Sequence, residues 1–593
     1  MKNLFRLLSL SVALSAIVFL QSCNEEKIEP APSVEVDPTS AQNTPGGAVT
    51  ANLTITAPNG AQDLVIYVAG VEVETRDLSA TDISAPVVFN YTIPADAKVG
   101  SKIIVSFQVI DAKNYPSAIS NFVITVGDPV VSLQGNLATQ TLDATKPYLL
   151  KGQVFIPNGV TLTIPAGTII KGDKSTKATL IVQPGGKLIA IGTAEKPIVF
   201  TSAQALGERD RGDWGGVIVL GNAFVNQTAR PAIEGITPTQ NFGSVAADGA
   251  TPSANASENS GSLKYVRIEY AGIELTPNNE TNSLTMGGVG NGTTVEYVQV
   301  SFGGDDGYEW FGGTVNAKYL VSHSTWDDDF DTDFGWGGNV QFGLAVRNPF
   351  FADQSGSNAF ESDNQANGTA IAGICDGTTN TGCTRGVFSN ITVLGPREIQ
   401  SRSLSANYQN AAHIRRRSAI SIFNSFFSGF RVGIRIDDQG TLDNLTSGTG
   451  KHGYNVLSVP GATLIGTTTS ASDAAFATGL TIAPDAAGNA TAISNYWTTN
   501  NNTVFNNITS TAVFADLGIT TSLLWAGQTS STYPSNPNFV LAAGVAGANN
   551  LNAGANFTDA KLTSFTSTTY RGAFGATDWT DGWAEFQPLN KVY

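Results

Sequence analysis

VEYVQVSFGGDDGYEWFGGTVNAKYLVSHSTWDDDFDTDFGWGGNVQFGLAV, Val295 to Val346, makes one statement twice and begins it a third time. A short apolar strand opens each copy: VEYVQV at Val295, AKYLVS at Ala317, VQFGLAV at Val340, with starts 22 and 23 residues apart. A turn and an acid-rich strand follow, first DDGYEWF and then DDDFDTDF. LKYVRIEYAG from Leu263, FSNITVLG from Phe388 and IFNSFFSG from Ile422 extend the series in both directions. A strand unit of about 22 residues buries its apolar face only against copies of itself, so each repeat is expected to form one coil of a solenoid with parallel sheets.

Setting the coils in register gives the acids a meaning. Glu309 lies 14 residues after Val295, and Asp331 lies 14 after Ala317, so YEWF (Tyr308 to Phe311) should stack on FDTD (Phe330 to Asp333). FESD (Phe360 to Asp363), AHIR (Ala412 to Arg415) and IRID (Ile434 to Asp437) fit the same slot. Strand alternation then turns every second side chain outward. One outward file reads Glu309, Asp331, Glu361, His413, Arg435, and the other reads Phe311, Asp333, Asp363, Arg415, Asp437. Carboxylates stacked about 4.8 Å apart repel by roughly 3 kcal/mol per pair at an effective dielectric of 20. A cation or a proton relieves that, and an all-oxygen set suits Ca²⁺. Glu309, Asp331, Asp333, Glu361 and Asp363 are the expected ligands, with Asp305, Asp306, Asp327 and Asp328 at the preceding turns able to complete the shell. Acidic faces also keep exposed sheets soluble without any ligand, which is the competing reading.

Smaller signals surround the run. Trp326 and Trp336 bracket it, either capping coil corners or stacking on sugar rings. His323, on an apolar strand, reads as a structural histidine whose ring nitrogens are satisfied. In the run Arg415 to Arg417, Arg415 and Arg417 are expected to pair with carboxylates and Arg416 to turn away. The loop CDGTTNTGC, closed by Cys375 and Cys383, reads as a disulfide worth roughly 2–3 kcal/mol in an oxidising compartment. The chain has no Ser-elbow motif, zinc spacing or phosphate loop.

The chain of 593 residues is too long for one core. Its 62 Gly and 14 % charged residues fit an all-β protein, and a net charge of -16 argues against nucleic acid as a partner. Residues 39–127 carry alternating strands such as ANLTITA and KIIVSFQVID at the spacing of an immunoglobulin-like sandwich. The polar stretch 23–38, with Pro30, Pro32 and Pro38, reads as a tether. Residues 1–22 read as a signal peptide: Lys2 and Arg6, then fourteen mostly apolar residues from Leu7 to Leu20.

Three resemblances add to this. LQSC (Leu20 to Cys23) resembles the lipobox of bacterial lipoproteins, which implies acylation of Cys23 and a lipid anchor in the outer membrane. NEEKIEP after it is similar to the surface-export signal of Bacteroidetes lipoproteins, which implies the cell surface. Residues 135–593 resemble the right-handed parallel β-helix of the pectate-lyase-like superfamily, and DDGYEWFGGTVNAKYLVS and DWTDGWAEFQPLN resemble Bacteroidetes surface proteins of that type. The leading expectation is a protein that binds an acidic extracellular polysaccharide or cell-surface glycan, or mediates adhesion, through a Ca²⁺-dependent acidic face. The resemblance also implies an enzymatic alternative, a polysaccharide lyase with Arg435 or Arg415 as base and His413 assisting. Paired carboxylates leave a glycoside hydrolase open, and a structural envelope protein is the third reading.

Overall fold

The computed structural model describes residues 29–593 apart from 80–82, 128–129, 234, 277–278, 366–367, 400–401, 403, 431, 459–479, 483–495, 506–513, 515–516, 520, 524, 526–532 and 542–551. The signal peptide and Cys23 therefore lie outside the described residues. Among the described residues no helix is long and apolar enough to cross a membrane. The chain divides at Val130/Val131 into two units.

The first unit is a sandwich. A three-stranded antiparallel sheet (Ser33–Asp37, Ala48–Thr56, Val87–Thr92) shares one core with a five-stranded sheet. Ala48–Thr56 alternates strictly, with Val49, Ala51, Leu53 and Ile55 buried against Phe107 and Phe122. One expectation needs correcting here. Ser33–Asp37, read as tether, is a strand paired with Ala48–Thr56, because Val34 and Val36 alternate inward.

The second unit is a parallel β-helix. Its first layer stacks Gly261–Glu269, Thr294–Ser301, Asn316–His323, Asn339–Val346 and Val387–Leu394, each parallel to the next. Its second layer stacks Leu284–Gly287, Tyr308–Phe311, Phe330–Asp333, Phe360–Ser362, Asn410–Ile414 and Val432–Ile436. Inward residues such as Val298, Leu320, Trp310, Phe330 and Phe388 make one continuous core. Within the first layer each strand bends at one left-handed residue: Tyr265, Tyr297, Tyr319, Phe342 and Asn390 have φ of 50°, 52°, 60°, 64° and 56°. Non-glycine residues adopt this at a cost of about 1–3 kcal/mol each. The aromatic ones offset part of it by stacking face to face, 4.4, 4.3 and 5.0 Å between successive ring centroids.

The second unit runs to Tyr593, but its described residues after Phe505 add no coil. Among the described residues the last stacked strand is Thr503–Phe505. The segment from Asn556 to Tyr593 instead lies along the flank of the β-helix. It passes from Asn424 and Lys451 (Lys451 Nζ to Asp559, 2.8 Å) back to Arg209 and Lys171, which donate to the carbonyls of Lys591 and Tyr593.

Cys375 and Cys383 form a disulfide. It closes a nine-residue loop, so replacing both by Ser should cost roughly 2–3 kcal/mol of stability in a denaturant titration.

Candidate functional site: an acidic coil face

The outward file is present as pairing register. Glu309 pairs with Asp331, Asp331 with Glu361, Glu361 with His413, and His413 with Arg435. Phe311 pairs with Asp333 in the second file. Between them Tyr308, Trp310, Phe330, Thr332, Phe360 and Ser362 are buried inward, as alternation requires.

At the corner before this layer runs a ladder that the sequence did not announce. Asn282 Oδ1 accepts the N–H of Asp306 at 3.2 Å, and Asp306 Oδ1 accepts the N–H of Asp328 at 2.8 Å. Asp328 Oδ1 accepts the N–H of Asn358, and Asn358 Oδ1 accepts the N–H of Asn410 at 3.1 Å. Each rung satisfies a buried amide with the side chain one coil earlier. Asparagine does this at 282 and 358. Aspartate at 306 and 328 makes the same bond and adds a charge that the ladder does not use.

That surplus charge is concentrated. Asp306, Glu309 and Asp331 each offer a carboxylate oxygen within 4.8 Å of the others, and so do Asp305, Asp306 and Asp327. Among the described residues Asp305, Asp306, Asp327 and Asp331 make no ion pair. Asp327 Oδ1 and Asp331 Oδ1 are buried with no hydrogen-bond donor. Burial first, and the neighbouring carboxylates second, hold Asp305, Asp306 and Asp331 well above the usual carboxylate range. The same two causes push Asp327 up to about 6.

Further along the file the charge is already balanced. Arg415 grips Asp363 (Nε to Oδ1, 2.7 Å) and Glu361, and Arg416 reaches Asp363 Oδ2 at 2.6 Å. Arg416, not Arg417, is thus the second partner, because both residues sit at positive φ where the chain turns. His413 Nε2 contacts Asp437 Oδ2 at 2.7 Å, and Arg435 Nε lies 3.1 Å from the same oxygen. Of the expected metal ligands, Glu309 and Asp331 stand in a converging triad. Glu361 and Asp363 are occupied by arginines, and Asp333 lies beside Asp363, outside both triads. Arg415 and His413 are held in ion pairs and hydrogen bonds, which leaves neither free to act as a base. Arg435 lies three strand spacings, about 14 Å, from Asp331.

Neither tryptophan offers an open face for a sugar. Trp336 is 0 % exposed and packs on Trp310 and Phe388, since the corner folds it into the core. Trp326 is half-buried, donates to Asp353, and carries the Arg211 guanidinium 3.7 Å over its ring. His323 is buried among Phe302, Trp525, Tyr533 and Phe586. Neither of its nitrogens is hydrogen-bonded, so it is an apolar-packed histidine rather than a satisfied one. Sequence reasoning also missed Arg347, which is buried and pairs with the inward Asp329 at 3.2 Å. The acid run is therefore split: Asp329 faces in and pairs with Arg347, whose charge also acts on Asp327 and Asp328, while Asp331 turns out.

A cavity of about 320 Å³ adjoins the first triad. Its lining joins the carboxyls of Asp305, Asp306 and Glu309 with the apolar side chains of Ile218, Phe242, Phe311 and Phe334.

No curated protein matches the chain. A solved structure, "Structures of Clostridium thermocellum CbhA fibronectin(III)-like modules", is 16 % identical, with 17 % of this chain and 49 % of that chain covered and a TM-score of 0.14; the chain spans about half of its length. The family described as "Pectate-lyase like beta helix domain" matches residues 135–502. That match covers more than half of the sequence, and the chain belongs to the pectate-lyase-like β-helix family.

Proposed function

We propose that this protein binds an acidic polysaccharide through Ca²⁺ held on the acidic coil face, while anchored by Cys23 at the outer surface of the outer membrane. Membership in the pectate-lyase-like family points to a polysaccharide-related role. The observation that carries the Ca²⁺-dependent binding is the convergence of Asp306, Glu309 and Asp331, and the anchor rests on the LQSC sequence alone. A hard divalent cation fits this donor set, because every ligand atom is oxygen and a buried oxygen of Asp331 has no other partner. When bound, the ion supplies a positive charge that a uronate carboxylate can approach. The protein's own residues fix the carboxylates through the corner ladder and the strand register.

The binding reading is favoured over a lyase because Arg415, His413 and Arg435 are each engaged by a carboxylate, and Arg435 is remote from the triad. The test is titration of polygalacturonate and alginate with Ca²⁺ and with EDTA, alongside the ultraviolet absorbance of unsaturated uronate ends. Binding that disappears in EDTA, with no absorbing product, is expected, and Arg435→Ala should leave binding within about twofold of wild type. Absorbing product that Arg435→Ala abolishes would establish the lyase instead.

A further inference from the structure

The geometry points to a second cation, held by Asp305, Asp306 and Asp327 and sharing Asp306 with the first, so that the corner takes a pair of Ca²⁺ ions. It rests on the cation proposed above at Asp306, Glu309 and Asp331 and adds to it. Asp305, Asp306 and Asp327 each offer a carboxylate oxygen within 4.8 Å of the others. Asp306 is 8 % exposed and is common to both triads. Asp327 Oδ2 accepts from Ser355 Oγ at 2.9 Å, but its Oδ1 is buried and receives no hydrogen bond. A buried acceptor without a donor costs about 1–3 kcal/mol, and more when it is charged.

The coil register shows that the fold does not require this charge. Asp305 and Asp327 are 22 residues apart, and each directly precedes a member of the corner ladder. In the coils on either side the same place is held by Thr281, before Asn282, and by Ser357, before Asn358. A neutral side chain therefore serves here, as asparagine serves in the ladder. Aspartate takes both places in the same two adjacent coils. The protein supplies little counter-charge: among the described residues none of the three acids is in an ion pair, and Arg347, whose charge reaches Asp327, is paired with Asp329. The two triads comprise five carboxylates, so one divalent cation leaves three negative charges and a pair leaves one. The second triad also has its own cavity, of about 480 Å³. Asp305 and Asp327 line it with Glu280, Asp353, Gln354 and Ser355, whereas Asp306 and Glu309 line the first cavity. Ca²⁺ takes six to eight oxygens, and this polar cavity gives water or a ligand carboxylate room to complete the shell.

The experiment titrates the EDTA-stripped protein with CaCl₂ by calorimetry and reads the melting temperature in EDTA in parallel. Wild type is expected to take two Ca²⁺ per chain. Asp305→Asn combined with Asp327→Asn should take one, and should melt no lower than wild type in EDTA, because the exchange is isosteric and removes repulsion. Glu309→Gln combined with Asp331→Asn should also take one, and Asp306→Asn should weaken both ions by at least about tenfold. Two ions in the Asp305/Asp327 variant, or one ion in both that variant and wild type, overturns the second site while leaving the first in place. A lower melting temperature of that variant in EDTA also overturns it, since the two carboxylates would then be structural partners. One ion in wild type that the Glu309/Asp331 variant keeps and the Asp305/Asp327 variant loses overturns the first site and the pair alike. No ion in wild type removes the underlying reading and the second site with it.

Discussion

Asp306→Asn combined with Asp331→Asn raises the melting temperature of the Ca²⁺-free protein and removes its response to Ca²⁺. The substitution is isosteric, and an amide at position 306 keeps the Oδ1 that accepts the Asp328 N–H, since Asn282 and Asn358 already serve that role. What it deletes is like-charge crowding. Adjacent buried carboxylates repel by up to roughly 3 kcal/mol, so relief of about 1–3 kcal/mol is expected after screening. In a unit this large that corresponds to about 1–3 °C. The cost appears with the metal: at a hundredfold excess over its dissociation constant, Ca²⁺ stabilises by about 2.7 kcal/mol, and the double variant forfeits all of it. Uronate affinity should fall at least a hundredfold with it. Scanning calorimetry with EDTA and with CaCl₂ decides the matter. A variant less stable than wild type in EDTA, or one that still responds to Ca²⁺, sinks the assignment.

The pH dependence carries a sign of its own. Carboxyls whose folded pKa is raised, Asp327 to about 6 and Glu361 to about 7, bind protons in the folded state that the unfolded chain releases. Stability of the Ca²⁺-free protein from this source therefore rises as pH falls from about 7 towards 5. Protons compete with Ca²⁺ for the same oxygens, so the Ca²⁺-induced shift shrinks over that window. His323 and His452 act in opposition. Burial lowers them from 6.5 to about 3 and about 4, so the unfolded state takes up the proton and their contribution is lost as pH drops below about 6.5. Wild type and the double Asn variant share the histidines, Asp327 and Glu361, so comparing them isolates the part that Asp306 and Asp331 add, which has the same sign because their folded values are raised too.

The file Glu309, Asp331, Glu361, His413, Arg435 was legible because two regularities coincide there, a coil length near 22 and a side-chain period of two. Where either lapses, the reading lapses. The corner ladder joins Asn282, Asp306, Asp328, Asn358 and Asn410, whose separations vary with the loops between them, so no fixed spacing exposes it. At the same corner alternation breaks, and nothing local tells that Asp329 turns inward to Arg347 while Asp331, two residues on, turns out. Trp336 follows a tight turn that carries it into the core, so its place beside an acid run said little about exposure. Ion pairs such as Arg416 with Asp363 span some fifty residues of chain and depend on how each turn closes. The C-terminal segment was partly legible: DWTDGWAEFQPLN has aromatic residues but no strand alternation, which is the pattern of something that packs on coils rather than adding one.

Trp583→Ala should lower stability by about 3–5 kcal/mol, and deleting residues 577–593 should lower it further and expose the flank to proteolysis. Trp583 is 2 % exposed and stands edge-on to Tyr265 and Tyr297, 5.9 Å from each ring, while Trp579 meets Tyr319 at 5.3 Å. These are the tyrosines held at positive φ, so the strap covers the part of each coil where the backbone is least favourable. Its backbone is fastened by side-chain amides that behave as short strand pairs. Gln299 donates to and accepts from Glu585, both at 2.8 Å, and Gln341 and Asn424 do the same with Thr566 and Asn556. In a solenoid each coil touches only its neighbours, so stability is local and ends fray. A segment crossing from Asn424 to Lys171 links coils that otherwise never meet, and it converts a chain of local equilibria into one transition. Denaturant melts test this directly: Trp583→Ala should reduce the midpoint, and the deletion should also broaden the transition, as uncoupled coils open separately. An unchanged midpoint for Trp583→Ala would show that the strap is decoration on a self-sufficient solenoid. A deletion variant that melts as sharply as wild type would show that the coils cooperate without it.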